Sequence, residues 1–131
     1  MNFKRLAILF AVFLFTIIIL ADLGYLRSLL YFISSVPNLD KVLHFLLIGT
    51  LTYLTALGLI ETLPERDPDR VLLFSALTLA VIFTLEEISQ GPIRGRTSSW
   101  KDLAANYVGI LFFSYIAWLR VRKRMKNSSD K

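Results

Sequence analysis

EEISQGPIRGRTSSWKDLAANYVG, residues 86–109, is a polar interval between two long apolar runs. Its polar residues end one predicted helix, fill a short loop and begin the next helix. Glu86 and Glu87 stand at the end of the first helix, and Asp102 and Asn106 stand at the start of the second. Carboxylates at membrane depth are costly unless they have a partner or a function, so this interval predicts more than a solvated connector.

The composition around this interval is that of a membrane protein. Hydrophobic residues make up 55% of the 131-residue chain, and the charged residues, 19%, lie between apolar runs instead of alternating within them. The absence of cysteine excludes disulfides, a thiolate metal site and a cysteine nucleophile. The net charge of +5 comes from Lys and Arg beside apolar runs, where topology and anionic lipid explain them, so we expect no nucleic-acid partner.

The apolar runs predict a single all-α domain, 1–131, with four transmembrane helices. We place the spans at about 6–21, 42–60, 71–89 and 102–119. The first run has no A-x-A-like cleavage site after it, so we expect an uncleaved helix and not a signal peptide. The segment 25–36 is too short to span and predicts a short interfacial or re-entrant helix between the first two spans. We expect the basic tail, 120–131, to be disordered at its end.

The charge distribution predicts the orientation of the bundle. With four spans, ten of the 15 Lys and Arg residues lie on the side of the two termini, which the positive-inside rule places in the cytoplasm. The start of the second span, the end of the third and the start of the fourth then meet at the outer face. Three polar clusters, DKVLH, EEISQ and RGRTSSWKDLAAN, are therefore predicted to converge on one layer.

The second span begins with Asp40, Lys41 and the only histidine, His44, at spacings that let them share a helix face. In a structural interpretation Asn38 or Asp40 caps the helix, Lys41 extends towards the headgroups and His44 bonds a neighbouring carbonyl. In a functional interpretation His44 acts as an acid or base, since ionisable groups within spans are functional candidates by default.

The third span ends in Glu86, Glu87 and Gln90. The two carboxylates point about 100° apart, so they do not face the same partner. A carboxylate at a helix C-terminus is disfavoured by the helix dipole, which argues for a cationic partner. The candidates for this partner are Arg94, Arg96, Lys41 and His44.

On the fourth span Asp102, Asn106 and Gly109 lie on one stripe. Ser99 and Asp102 resemble a capping box. Asn106 needs hydrogen bonds in lipid and is expected to reach the second or third span, while Gly109 permits close packing there. The loop before this span also suits a phosphate or carboxylate, because it offers arginine forks, hydroxyls and the free amides at the helix start, from Arg94, Arg96, Thr97, Ser98 and Ser99. A solvated loop that holds one Glu by a salt bridge is an equal alternative.

A metal site is a further alternative. His44, Glu86, Glu87 and Asp102 are all potential ligands, but no HExxH or paired-His spacing is present. The sequence therefore predicts neither a metal nor another cofactor.

The motifs DK-x-x-H, EE-x-x-Q and R-x-x-S-x-x-D-x-x-x-N-x-x-G, in this order and spacing, resemble those of the VanZ-like family of small bacterial membrane proteins. The residues that carry the resemblance are Asp40, Lys41, His44, Glu86, Glu87, Gln90, Arg96, Ser99, Asp102, Asn106 and Gly109. The resemblance implies a multi-span protein of the bacterial cytoplasmic membrane. Because the founding member is associated with teicoplanin resistance, it also implies a role in the cell envelope, but it implies no particular reaction.

Two functions follow from these residues. In the first, an outer-face site binds or acts on an anionic cell-envelope lipid, such as a lipid-linked phosphate or a peptidoglycan precursor. Its candidate catalytic residues are His44, Glu86, Glu87 and Asp102, and its candidate binding residues are Asp40, Lys41, Gln90, Arg94, Arg96, Ser99 and Asn106. In the second, the protein is a non-enzymatic assembly factor whose polar cluster stabilises the bundle. A transporter is disfavoured because four spans enclose little space, unless the protein forms a homo-oligomer.

Overall fold

The computed structural model describes residues 2–90 and 100–129, which form five helices and no strand. The helices are α1 (Phe3–Asp22), α2 (Arg27–Ser35), α3 (Leu39–Thr62), α4 (Pro68–Gln90) and α5 (Trp100–Ser129). All except α2 are long and apolar enough to cross a membrane. The predicted four-helix membrane bundle with a short helix between the first two spans is confirmed.

The short helix α2 follows a turn at Gly24, whose φ of 89° favours a residue without a side chain. None of its residues is buried, although it contacts α3. Asn38, at the start of α3, has a φ of 64° and makes no side-chain capping bond. Of the two predicted caps, Asn38 occupies the N-cap position without forming a capping bond, because a capping residue needs an extended backbone to turn its side chain onto the first amides. Asp40 lies inside the first turn of the helix.

Helix α3 is the centre of the bundle, since it contacts each of the other four helices. Its closest approach is to α5, where a Cβ added to Gly109 would lie 2.6 Å from the carbonyl oxygen of Phe45. On α3 itself, the ring of Phe113 lies directly against Gly49. These contacts confirm that small residues bring the second and fourth spans together, as small residues do between helices in lipid.

Helix α5 continues beyond the predicted span to Ser129. The basic segment has no Gly or Pro to stop the helix. The end of the tail, which the sequence predicts to be disordered, lies outside the described residues. Val121 is buried in the same cluster as Phe3. The guanidinium of Arg120 lies 5.1 Å from the ring centroid of Phe3. The start of α1 and the basic part of α5 therefore lie at the same end of the bundle.

We expect Gly109→Ala to lower the stability of the bundle by about 1–3 kcal/mol, the usual cost of overpacking. The added methyl group would meet the backbone of Phe45, which cannot rotate away. This loss should appear even though Ala is intrinsically the better helix former by about 0.5–1 kcal/mol. Thermal unfolding in detergent measures the change.

The matched control is Val108→Ala, whose side chain is 55% exposed on the neighbouring face of α5. It should shift the unfolding temperature little. Equal shifts for Gly109→Ala and Val108→Ala would contradict the close contact between α3 and α5.

Candidate functional site

The start of α3, the end of α4 and the start of α5 meet in one polar layer. One potential metal-ligand atom from each of His44, Glu87 and Asp102 lies within 4.8 Å of the other two. The predicted convergence of these three helix ends is therefore confirmed. We use "polar layer" for these three residues together with Asp40, Lys41, Glu86 and Asn106.

Asn106 fixes the ring of His44. The Oδ1 atom of Asn106 lies 2.8 Å from Nδ1 of His44, and Asn106 is only 1% exposed. Because a carboxamide oxygen is an acceptor, Nδ1 donates a proton in this bond, and Nε2 takes no part in it. The prediction that Asn106 reaches back to a neighbouring helix is confirmed, and the second span is the one it reaches.

Lys41 lies between two carboxylates. Its Nζ atom is 3.2 Å from Asp40 on the same helix and 3.8 Å from Oδ1 of Asp102 on α5. Asp102 is 9% exposed, and its buried Oδ1 accepts no hydrogen bond from the described part of the chain. Lys41 therefore offers Asp102 charge attraction without a hydrogen bond, which is a weak arrangement for a buried carboxylate.

The two adjacent glutamates occupy different environments. Glu87 is 1% exposed and belongs to the group with His44 and Asp102, whereas Glu86 is partly exposed and lines a cavity. The offset of about 100° between consecutive helical residues explains why only one of them enters the bundle. Phe83, one turn before Glu87, is also fully buried on that inner face of α4.

A cavity of about 180 Å³ adjoins the polar layer. Its polar wall is formed by Asp40, His44, Glu86 and Asn106. Its apolar walls are formed by Leu14, Ile17, Ile18 and Ala21 of α1, Leu30 and Ile33 of α2, Leu43, Leu47 and Ile48 of α3, and Phe83 of α4. The cavity is thus amphipathic, with hydrocarbon on several sides and ionisable groups on one.

The structure brings together seven of the eleven residues that the sequence nominated, namely those of the polar layer. The side chain of Gln90, together with Arg94, Arg96 and Ser99, lies outside the described residues. Whether the seven residues have catalytic or binding roles stays a prediction.

The apolar part of the site was not predicted from the sequence. Leu30 and Ile33 line the cavity from α2, a helix predicted only to be interfacial or re-entrant. A signal was present, because these two residues are three apart and so share one face of the short helix.

No family model, curated protein or solved structure matches this chain. The resemblance to the VanZ-like family therefore depends on the motif residues alone. The membrane bundle and its polar layer are established without it.

The bond between His44 and Asn106 should appear in a double-mutant cycle on unfolding free energy. Combining His44→Ala with Asn106→Ala should give a coupling energy of about 0.6 kcal/mol, with an upper bound near 1.7 kcal/mol, as for other hydrogen bonds between membrane helices. Tyr107 is the matched neighbour, because its hydroxyl pairs with Thr84. His44→Ala and Tyr107→Phe should be additive within about 0.5 kcal/mol. Equal coupling in both cycles would refute a specific bond between His44 and Asn106.

Proposed function

We propose that this protein resides in the bacterial cytoplasmic membrane and binds an anionic cell-envelope lipid, such as a lipid-linked phosphate or a peptidoglycan precursor, at its outer face. The observation that carries the proposal is the cavity, which joins apolar walls from four helices to the polar layer. A lipid has the same two parts, a hydrocarbon chain and a polar head.

The size of the cavity limits what it holds. Its volume of about 180 Å³ is below the roughly 300–1,000 Å³ of pockets that enclose a whole ligand. It suits a segment of acyl or prenyl chain next to the headgroup, with the rest of the lipid in the bilayer. His44 and Glu86 then face the headgroup from the cavity wall.

The orientation and the biological setting belong to the same proposal. The excess of Lys and Arg on the side of the termini favours cytoplasmic termini, which puts the polar layer at the outer face. The resemblance to the VanZ-like family favours a cell-envelope role of the kind that protects against a glycopeptide such as teicoplanin. Arg94 and Arg96, between α4 and α5 in the sequence, are the candidate cations for the headgroup.

Filling the cavity tests the proposal. Leu30→Trp should weaken binding of a polyprenyl phosphate to the purified protein in detergent by roughly tenfold or more, about 1.4 kcal/mol, because the indole occupies the space of the chain. Leu29→Trp is the matched control, since Leu29 is the adjacent residue and is 51% exposed. It should bind the lipid as the parent protein does.

The corresponding polyprenol, which lacks the phosphate, separates the contribution of the headgroup from that of the chain. It should bind more weakly than the phosphate. Equal binding of the two lipids, or equal effects of Leu29→Trp and Leu30→Trp, would count against the proposed site.

A structural function is the second candidate, and the two links between α3 and α5 favour it. His44 bonds Asn106, and Lys41 lies near Asp102, so the polar layer joins the two helices that approach most closely. In this case the polar side chains hold the bundle in shape for an assembly partner.

His44→Asn distinguishes the two functions. The carboxamide of Asn places a donor near the position of Nδ1, which preserves the bond to Asn106, but it has no counterpart of Nε2. A lipid site predicts weaker binding of polyprenyl phosphate at an unchanged unfolding temperature. A purely structural network predicts that lipid binding changes only in variants that also unfold earlier, such as Asp102→Ala or Glu87→Ala.

A further inference from the structure

Three helices bring a histidine and two carboxylates into one small volume. The donor atoms of His44, Glu87 and Asp102 lie within 4.8 Å of one another, although these residues are far apart in the sequence. We propose that these three side chains form a binding site for a divalent transition-metal ion, Zn²⁺ or Mn²⁺. Imidazole with carboxylate oxygens is a donor set that both ions accept, whereas Ca²⁺ and Mg²⁺ prefer oxygen alone.

The spacing of the donors is close to that of a metal site. Nitrogen and oxygen ligands bind Zn²⁺ at about 2.1 Å in a tetrahedral arrangement, so they lie roughly 3.4 Å from one another. The three donor atoms therefore need to approach one another by about an ångström. Rotation of the Glu87 and Asp102 side chains supplies this movement. The backbone that carries each ligand is helical and does not have to move.

The bond from His44 to Asn106 is the support that a metal-bound histidine normally has. Metal-ligating histidines donate their other ring N–H to a carbonyl or carboxylate, which orients the ring and fixes the tautomer. Here Nδ1 donates to Oδ1 of Asn106 at 2.8 Å, and Nε2 is left to bind the ion. Asn106 is fully buried, and its bond to His44 lies inside the bundle.

Asp102 supplies an independent indication. Its Oδ1 atom is buried and accepts no hydrogen bond within the described residues, and Nζ of Lys41 is 3.8 Å away. A buried carboxylate oxygen of this kind normally carries a large desolvation cost. Coordination to a metal ion offsets this cost directly, and a helix-bundle core is a common place for such sites.

A bound metal ion would also connect the polar layer to the proposed lipid ligand. Three protein ligands leave a coordination position open, and a phosphate oxygen of a lipid headgroup suits it. This last step rests on the proposed function, whereas the metal site does not.

Metal analysis of the purified 131-residue chain tests the site. The protein is stripped with a chelator after removal of any histidine tag and dialysed against Zn²⁺, and in a second series against Mn²⁺. We expect saturable binding of about one ion per chain, since the three ligands form a single site. His44→Asn, Glu87→Gln and Asp102→Asn should each weaken binding by about 100-fold or more, because each removes one of three ligand atoms.

The matched control is Glu86→Gln, the same substitution on the adjacent residue of α4, which should bind the metal as the parent protein does. Asn106→Ala should weaken binding by about 10–100-fold, the usual effect of removing the partner of a metal-bound histidine. This graded effect is not expected of a surface that collects ions through charge alone. Thermal unfolding of each variant without metal shows whether it is folded.

Failure of the folded parent protein to bind either ion would overturn the proposal, and this result does not depend on any variant. Folded ligand variants that bind as well as the parent, or a loss in Glu86→Gln as large as in Glu87→Gln, would overturn it too. If the protein binds polyprenyl phosphate but neither metal ion, the metal site is refuted and the proposed function remains. If the protein binds a metal ion but not polyprenyl phosphate, the proposed function is refuted and the metal site remains.

Discussion

The close approach of α3 and α5 is the contact on which the rest of the polar layer depends. Gly109 lets the two backbones meet at Phe45, and only at such a separation do the short side chains of Asn106 and His44 come within hydrogen-bond distance. In lipid the hydrophobic effect does not drive helices together, so close packing of this kind sets the helix positions. Asp102 then lies on the same face of α5, one turn nearer the start of the helix than Asn106 and next to Lys41 and Glu87.

The two ends of the bundle differ in charge and in burial. At one end the carboxylates of Glu87 and Asp102 are buried between helices. At the other end Arg66, Arg120 and Arg124 line an open cleft beside Glu61. The positive-inside rule explains the solvated basic residues at this end, because such residues keep their side of the protein at the membrane surface. Buried carboxylates have no such role in topology, which is why the polar layer is the candidate site.

The proposed lipid ligand follows from the cavity and the polar layer together. In this proposal the apolar walls from α1 and α2 receive hydrocarbon, and Asp40, His44 and Glu86 present ionisable groups at the margin of the cavity. In the proposed metal site, a divalent ion would join the two parts of this ligand site, because it attracts both the carboxylates and a phosphate and keeps coordination positions for each.

The sequence alone determined the helical class, the four spans, the short helix and the end of the bundle at which the polar motifs meet. These properties depend on local hydrophobicity and on the number of spans, which can be read along the chain. The tertiary structure decided which of Glu86 and Glu87 enters the bundle, which partner Asn106 bonds, and that α2 closes a cavity. It also revealed the potential metal ligands His44, Glu87 and Asp102. These residues lie on three different helices, so no short sequence motif contains them. Such contacts depend on how helices rotate and pack against one another, and local sequence does not specify that rotation.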